Sequence, residues 1–327
     1  MTSSKITHPR TVAGSTIVGL GSYRPDKVVT NDDLSTFMDT NDDWIQSRVG
    51  IAERRFGSSQ DTVASMGAIA AGKALADAGL EPGDIDTVIV ATCTGETQVP
   101  HTSTQIAAAL SIPAPGSFDL NAACAGFCYA LAAADHAIRL GSSRNVLVVG
   151  SEKLTAWTDP TDRATAIIFG DGAGAAVVSA SDEPGVGPVV WGSDETQTQA
   201  IRIESRDATF IQEGQAVFRW ATTAIAPVAV LAVERAGLEL SDVDVLVTHQ
   251  ANLRIVETIT RKLVAAGARS DLRVAKDIVT SGNTSSASIP IALDRMRQTG
   301  EISRGEMVLA VGFGAGLTYA GQVFRCP

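Results

Sequence analysis

Along most of the chain, short apolar runs alternate with alanine-rich segments whose apolar residues recur at helical spacing. VIVATC (88–93), VLVVGS (146–151) and GAAVVSA (174–180) read as strands in the first part, and VDVLVT (243–248) and MVLAVG (307–312) in the second. These runs are continuously apolar, as expected of strands covered on both faces. Their alternation with helices predicts βα units and a largely parallel, buried sheet, an α/β fold with functional groups on loops at strand ends.

The pattern also occurs twice. AGLEPGDIDTVIV (78–90) is echoed by AGLELSDVDVLVT (236–248), each copy preceded by an amphipathic helical stretch. NVLVVG (145–150) is echoed, in the same order and at nearly the same offset, by MVLAVG (307–312). An internal duplication is the simplest source of two matched blocks in register. SDEPGVGP (181–188) interrupts the pattern, which divides the chain into halves 1–185 and 186–327.

Composition narrows the function classes. The chain has 327 residues, 45% hydrophobic and 19% charged, enough to bury a large core. Its net charge of −10 argues against nucleic acid or an anionic membrane as partner. Residues 1–21 carry no continuous apolar core, so no signal peptide is expected, and no apolar run is read as long enough to cross a bilayer. A cytoplasmic protein is expected. The four cysteines, Cys93, Cys124, Cys128 and Cys326, form no Cys-x-x-Cys pair and suggest neither a zinc site nor a disulfide scaffold. GDGAG (170–174) and GFGAG (312–316) resemble phosphate loops only loosely, because the first runs into a strand where a dinucleotide fingerprint opens a helix. No metal or organic cofactor is implied.

Candidate chemistry lies in three places. In SFDLNAACAGFCYALAAADHAIRL (117–140), Cys124 stands between a strand and a buried-type helix, where backbone N–H groups and the helix dipole favour a thiolate. From this segment alone, a nucleophile and a small buried thiol filling a tight turn are both open. Cys128, one helical turn on, reads as core, and Cys93 and Cys326 as structural. His249 follows the apolar strand in VDVLVTHQANLRI, and Asn283 lies in the loop TSGNTSSASIP. His8 sits in the N-terminal segment, His136 near a helix end, and His101 in the loop VPHTS is the one rival to His249.

NAACAGF, HQANLRI and GNTSSASIP, in this order, resemble the β-ketoacyl-acyl-carrier-protein synthase III family of thiolase-like condensing enzymes. GLGSYRPDKVVTN, DDWIQSRVGI, DPTDRATAIIFGDGAGA, GQAVFRW and GFGAGLTYAG extend the resemblance over nearly the whole chain. It implies a duplicated fold layered α-β-α-β-α. It also implies decarboxylative Claisen condensation of an acyl-coenzyme A starter with malonyl-acyl-carrier protein, through an acyl group carried on Cys124. His249 and Asn283 would be neutral donors to the thioester oxygen of the malonyl group, and neither HQAN nor GNTS brings a carboxylate that would repel it. The backbone N–H groups of Cys124 and Ala315 would form the acyl-transfer oxyanion hole.

The same resemblance places Trp44, Arg48, Arg163, Phe218, Asn252 and Arg254 along the coenzyme A and pantetheine path. Gln250, Ala251, Asn252, Leu253, Arg254, Arg261 and Lys262 would form the carrier-protein landing site, the last two being on the helix face of Arg254. Val99 matches a position where acetyl-preferring members present a phenylalanine from a partner subunit, so a longer or branched starter is expected. A homodimer is implied, through a strand of the first half and the loop TQVPHTS. Open beside this reading are a priming enzyme of a polyketide pathway, a cysteine hydrolase and a non-catalytic partner subunit. A thiolase is disfavoured, because GFGAG lacks its second cysteine.

Overall fold

The computed structural model describes residues 12–205 and 208–327; His8 lies outside them. Ten strands form two five-stranded sheets. The first holds β1 (Gly14–Tyr23), β2 (Thr87–Ala91), β3 (Gly116–Leu120), β4 (Asn145–Lys153) and β5 (Asp171–Ser181) in the order β1-β5-β4-β2-β3. The second holds β6 (Val190–Ser193), β7 (Val245–Thr248), β8 (Arg273–Val274), β9 (Met307–Gly314) and β10 (Thr318–Arg325) in the order β6-β10-β9-β7-β8. Position for position the two orders agree.

The sheets are mixed where the apolar runs predicted largely parallel ones. β2 is parallel to β3 and β4, and β7 to β8 and β9. β5 runs antiparallel to β1 and β4, and β10 to β6 and β9. In the second sheet the reason is local: β9 turns straight back into β10 through Ala315–Leu317, and a tight turn can join only antiparallel neighbours. The apolar runs record burial on both faces, which antiparallel strands between two helix layers share.

Six helices complete the layers: α1 (Val63–Ala78), α2 (Thr102–Ala109), α3 (Gly126–Arg139), α4 (Gly214–Arg235), α5 (Leu253–Ala265) and α6 (Ser288–Gln298). α3 and α6 lie between the sheets. Phe127, Leu131 and Leu293 pack there with Val148 and Val178 of one sheet and Val247 and Ala310 of the other. α1 and α2 cover the outer face of the first sheet, α4 and α5 that of the second. The result is α-β-α-β-α. The repeated Ala-Gly-Leu ends a helix in both halves: Gly79 (φ 65°) and Gly237 (φ 72°) take the left-handed conformation that reverses the chain toward the next strand.

α4 corrects one expectation. Its residues are long and apolar enough, by length and composition, to cross a bilayer. In the fold, Ala221, Ile225, Ala229, Ala232 and Val233 pack on the second sheet.

Candidate active site

Cys124 stands in a 3-10 turn, Ala123–Ala125, between β3 and α3. Ala123 has φ 46°, a left-handed conformation that a non-glycine residue holds only when its surroundings enforce it. Two contacts enforce it here. The Asn121 side-chain oxygen accepts from Ala123 N–H at 3.1 Å. On the other side, a Cβ at Gly314 would lie 2.7 Å from Cβ of Cys124, so only glycine lets β9 come this close. Cys124 lines the cavities on either side of this turn.

Asn283 precedes a second 3-10 turn, Ser285–Ala287, at the start of α6, and Ser285 again has a positive φ, 49°. Asn283 Oδ1 accepts from Ser285 N–H at 2.8 Å. That bond fixes the amide, leaving its NH2 as the group offered to the site. His249, at the end of β7, is buried. Its Nδ1 is 2.8 Å from Ser288 Oγ, which also accepts from Gln250 N–H at 3.3 Å. In the tautomer where the Ser288 hydroxyl donates to Nδ1, the ring proton resides on Nε2 as a donor. Burial pushes the His249 pKa down to about 3, so the imidazole is neutral.

Burial also pushes the Cys124 thiol up, to about 12, against a hydrogen bond with Ser285 that favours the thiolate. This reverses the effect expected of the helix. Cys124 stands before the first residue of α3, and desolvation outweighs the hydrogen bonds to its sulfur. The resting pair is a thiol and a neutral imidazole.

Cys124 is the partition between two cavities. One, of about 630 Å³, is lined by Cys124, His249, Asn283, Phe218, Asn252, Trp44 and Arg48. The other, of about 410 Å³, continues past Cys124 to Leu154, Trp157, Phe169, Ile203 and Phe210, with Ala315 in its wall. Thr318 Oγ1 donates to Ala315 O at 2.9 Å and Ala122 O at 3.2 Å, tying the Ala315 segment to the cysteine turn.

At the outer mouth of the larger cavity, the Trp44 ring has the Arg163 guanidinium 3.8 Å and that of Arg48 4.1 Å from its centroid. Arg254 reaches Gln46 O at 3.3 Å, and Asn252 reaches Arg48 O at 3.3 Å. Of the six residues assigned to the nucleotide and pantetheine path, Trp44, Arg48, Phe218 and Asn252 line this cavity, while Arg163 stacks on Trp44 and Arg254 contacts Gln46 beside it. His101, the rival histidine, bonds near Thr104 and Ser117 and lines neither cavity.

Four sequence readings change. Cys93 is not merely structural: it lines the smaller cavity with Cys124. Gln250 cannot meet a partner: it is wholly buried, its amide donating to Thr248 O at 2.7 Å and accepting from Ile278 N–H at 3.1 Å. Ala251 lines the larger cavity and Leu253 packs against Gly50, so the exposed part of that landing surface reduces to Arg254, Arg261 and Lys262. A carboxylate does stand beside the Asn283 turn: Glu152, at the end of β4, accepts from Ser285 Oγ at 3.1 Å and Ser286 Oγ at 2.8 Å. Val99 is 86% exposed and lines neither cavity of its own chain.

Ser288, the hydrogen-bond partner of His249 Nδ1, and Glu152 were not singled out from sequence. Glu152 had a signal. Continuing the NVLVVG and MVLAVG repeats by two residues sets it against Gly314, a charge at the end of a buried strand.

Comparison with known proteins bears directly on this site. Residues 118–195 match the model of the family 3-oxoacyl-[acyl-carrier-protein] synthase III, and residues 233–326 match that of its C-terminal part. Beta-ketoacyl-[acyl-carrier-protein] synthase III 2 of Streptomyces avermitilis is 51% identical over 96% of this chain and 99% of its own. Synthase III 4 of Streptomyces coelicolor is equally similar, 51% over the same shares. Among solved structures, the priming β-ketosynthase of the R1128 polyketide biosynthetic pathway superposes with a TM-score of 0.95 at 42% identity, over 99% of both chains. The 3-oxoacyl-[acyl-carrier-protein] synthase III of Aquifex aeolicus superposes at 0.91 with 36% identity, over 95% of this chain and 100% of its own.

Proposed function

The chain belongs to the 3-oxoacyl-[acyl-carrier-protein] synthase III family of condensing acyltransferases, and from that premise we propose how it primes fatty acid synthesis and with which residues. The starter is an acyl-coenzyme A and the extender malonyl-acyl-carrier protein. The observation that carries this reading is the position of Cys124 between a long channel with a Trp/Arg mouth and a second, mostly apolar cavity. A thioester fits across that partition, with its nucleotide end at Trp44, Arg48, Arg163 and Arg254 and its acyl chain in the second cavity. An indole flanked by guanidinium groups suits an adenine and phosphates.

In the first half-reaction Cys124 Sγ attacks the thioester carbonyl. A new S–C bond forms, the bond to the coenzyme A sulfur breaks, and the proton given up by the cysteine thiol ends on the leaving sulfur. Backbone N–H groups of Cys124 and Ala315 receive the oxyanion. In the second, the malonyl thioester loses carbon dioxide, and its carbonyl oxygen takes up charge opposite His249 Nε2–H and the Asn283 NH2. The enolate carbon then bonds to the acyl carbon, releasing Cys124. Neutral donors suit this step, because a cation would hold the departing carboxylate.

The exposed face of Arg254, Arg261 and Lys262 would receive the acidic carrier protein. A homodimer completes the acyl cavity. β3 is an edge strand with Phe118 44% exposed, and Val99 lies on an exposed loop that a second copy would present to the first. The 410 Å³ cavity and the small Val99 together favour starters longer or more branched than acetyl. The two halves, 1–185 and 186–327, derive in this reading from one duplicated unit. Four free cysteines suit a cytoplasmic enzyme.

A second reading, a priming enzyme for a polyketide pathway, is favoured by the similarity to the R1128 ketosynthase. The deciding experiment is intact-protein mass after incubation with a panel of acyl-coenzyme A esters, for wild type and Cys124→Ala. The expected result is an acyl adduct on wild type alone, heaviest with butyryl or isobutyryl esters. An adduct with acetyl only would end the broad-starter reading. No adduct with any ester would end the enzymatic assignment of Cys124. Condensation with malonyl groups on carrier proteins of the two pathway types then separates the two readings.

A further inference from the structure

Glu152 is fully buried, and among the described residues no arginine or lysine is paired with it. Donors surround it instead. From the loop after β2 come Thr94 Oγ1 at 2.5 Å, Thr92 Oγ1 at 3.1 Å, Cys93 N–H at 3.1 Å and the Cys93 thiol at 3.4 Å. From the turn after Asn283 come Ser286 Oγ at 2.8 Å and Ser285 Oγ at 3.1 Å. Buried charge without a counter-ion is costly unless its lone pairs are filled, and here donors from both halves fill them. The groups held this way belong to the reaction centre. Cys93 and Ser285 line the cavity of Cys124, and Ser285 N–H fixes the Asn283 amide.

We propose that Glu152 is a positioning residue for the acyl-transfer site, a carboxylate clamp that holds the Thr92–Thr94 loop and the Asn283–Ser286 turn in register across the cysteine. Bonds to Glu152 orient the Ser285 and Ser286 hydroxyls, and the strained turn that carries Ser285 delivers Asn283. Without the clamp, the amide would lose its fixed direction although no substrate-contacting atom had been removed. The charge acts as well as the bonds: it stands within electrostatic reach of Cys124 and opposes its ionisation. The other titratable groups around Cys124 are Cys93 and His249, with Arg202 in the wall of the smaller cavity, paired to Glu204.

This inference rests on the proposed condensation for its rate readout, and alkylation of Cys124 tests it independently. Glu152→Gln keeps the shape, removes the charge and puts an NH2 where one carboxylate oxygen accepts, which breaks the bonds made to that oxygen. The expected result is an unchanged fold by thermal melting, an unchanged KM for butyryl-coenzyme A, and a kcat lowered by about tenfold or more, as for a displaced catalytic donor. The pH midpoint of Cys124 alkylation by iodoacetamide should also move down. Ser285→Ala, which keeps the carboxylate but removes a hydroxyl that favours the thiolate, should lower kcat similarly and move that midpoint up rather than down. If Glu152→Gln unfolds, Ser285→Ala carries the test. Wild-type kcat together with a wild-type alkylation midpoint in Glu152→Gln, or wild-type kcat in Ser285→Ala, would overturn the clamp. If wild type takes no acyl group from any ester, the functional reading fails, and the alkylation midpoint still reports on Glu152.

Discussion

Asn121–Gly126 in the first half and Asn283–Ser288 in the second are the same turn built twice. Each begins with an asparagine whose side chain accepts from the N–H two residues on, holds a non-glycine residue near φ +50°, passes through a 3-10 turn and enters a central helix. Aligned this way, Cys124 corresponds to Ser286. The strand repeats extend the match: His249 corresponds to Ala91, and Gly314 to Glu152. One copy therefore has a thiol, an imidazole and a glycine that makes room. The other has a hydroxyl bonded to Ala91 O at 2.8 Å and a carboxylate that fills the corresponding space. Duplication supplied two equivalent positions, and the difference between an open site and a sealed one rests on three side chains.

The sharpest way to break that comparison is to exchange the nucleophiles. Cys124→Ala should abolish the acyl adduct, whereas Ser286→Cys on that background should not restore it, because its position faces Glu152 and no cavity; an adduct at residue 286 by peptide mass would show that the second turn is open after all. Next in size, Asn283→Asp replaces the donor amide with an acceptor. Condensation should fall on the order of 10²–10³-fold while acyl loading of Cys124 persists, measured by product formation against intact mass.

Gly314→Ala probes the room beside the nucleophile. The added methyl meets Cys124 Cβ at 2.7 Å, so the turn must shift, and loading should slow by about 10²-fold in stopped-flow release of coenzyme A. The smallest effect is on stability. The folded His249 stays unprotonated down to about 3, whereas the unfolded ring takes up its proton near 6.5. The unfolded state thus binds more protons in that window, and the His249 contribution to stability is lost as pH falls from 6.5 toward 3. Denaturant titrations should show a shallower loss in His249→Gln.

What was legible in sequence follows from this same comparison. Cys124, His249 and Asn283, which line one cavity, could be singled out because each lies in a contiguous motif at a strand or helix end, and the layered fold because its two halves repeat. Glu152 and Cys93 were passed over because what they touch is set by tertiary contact: the end of β4 meets a turn from the opposite half. Gln250 was misread for the complementary reason. Sequence places it beside exposed residues, but burial at the end of β7 turns its amide inward, to Thr248 and Ile278. The mixed sheets were missed because burial on both faces erases the alternation that would have marked antiparallel strands.

The larger cavity leading to Cys124 has a kinetic consequence for the proposed reaction. In that reaction both pantetheine arms, the one that brings the starter and the one that brings the extender, use the same corridor, which ends at one sulfur. The first carrier has to vacate it before the second can enter. Turnover should therefore be ping-pong, with parallel double-reciprocal lines. Free coenzyme A should compete with the extender for the acylated enzyme, so that a cell rich in unloaded coenzyme A would slow chain initiation by queueing at the doorway rather than by any separate regulatory site.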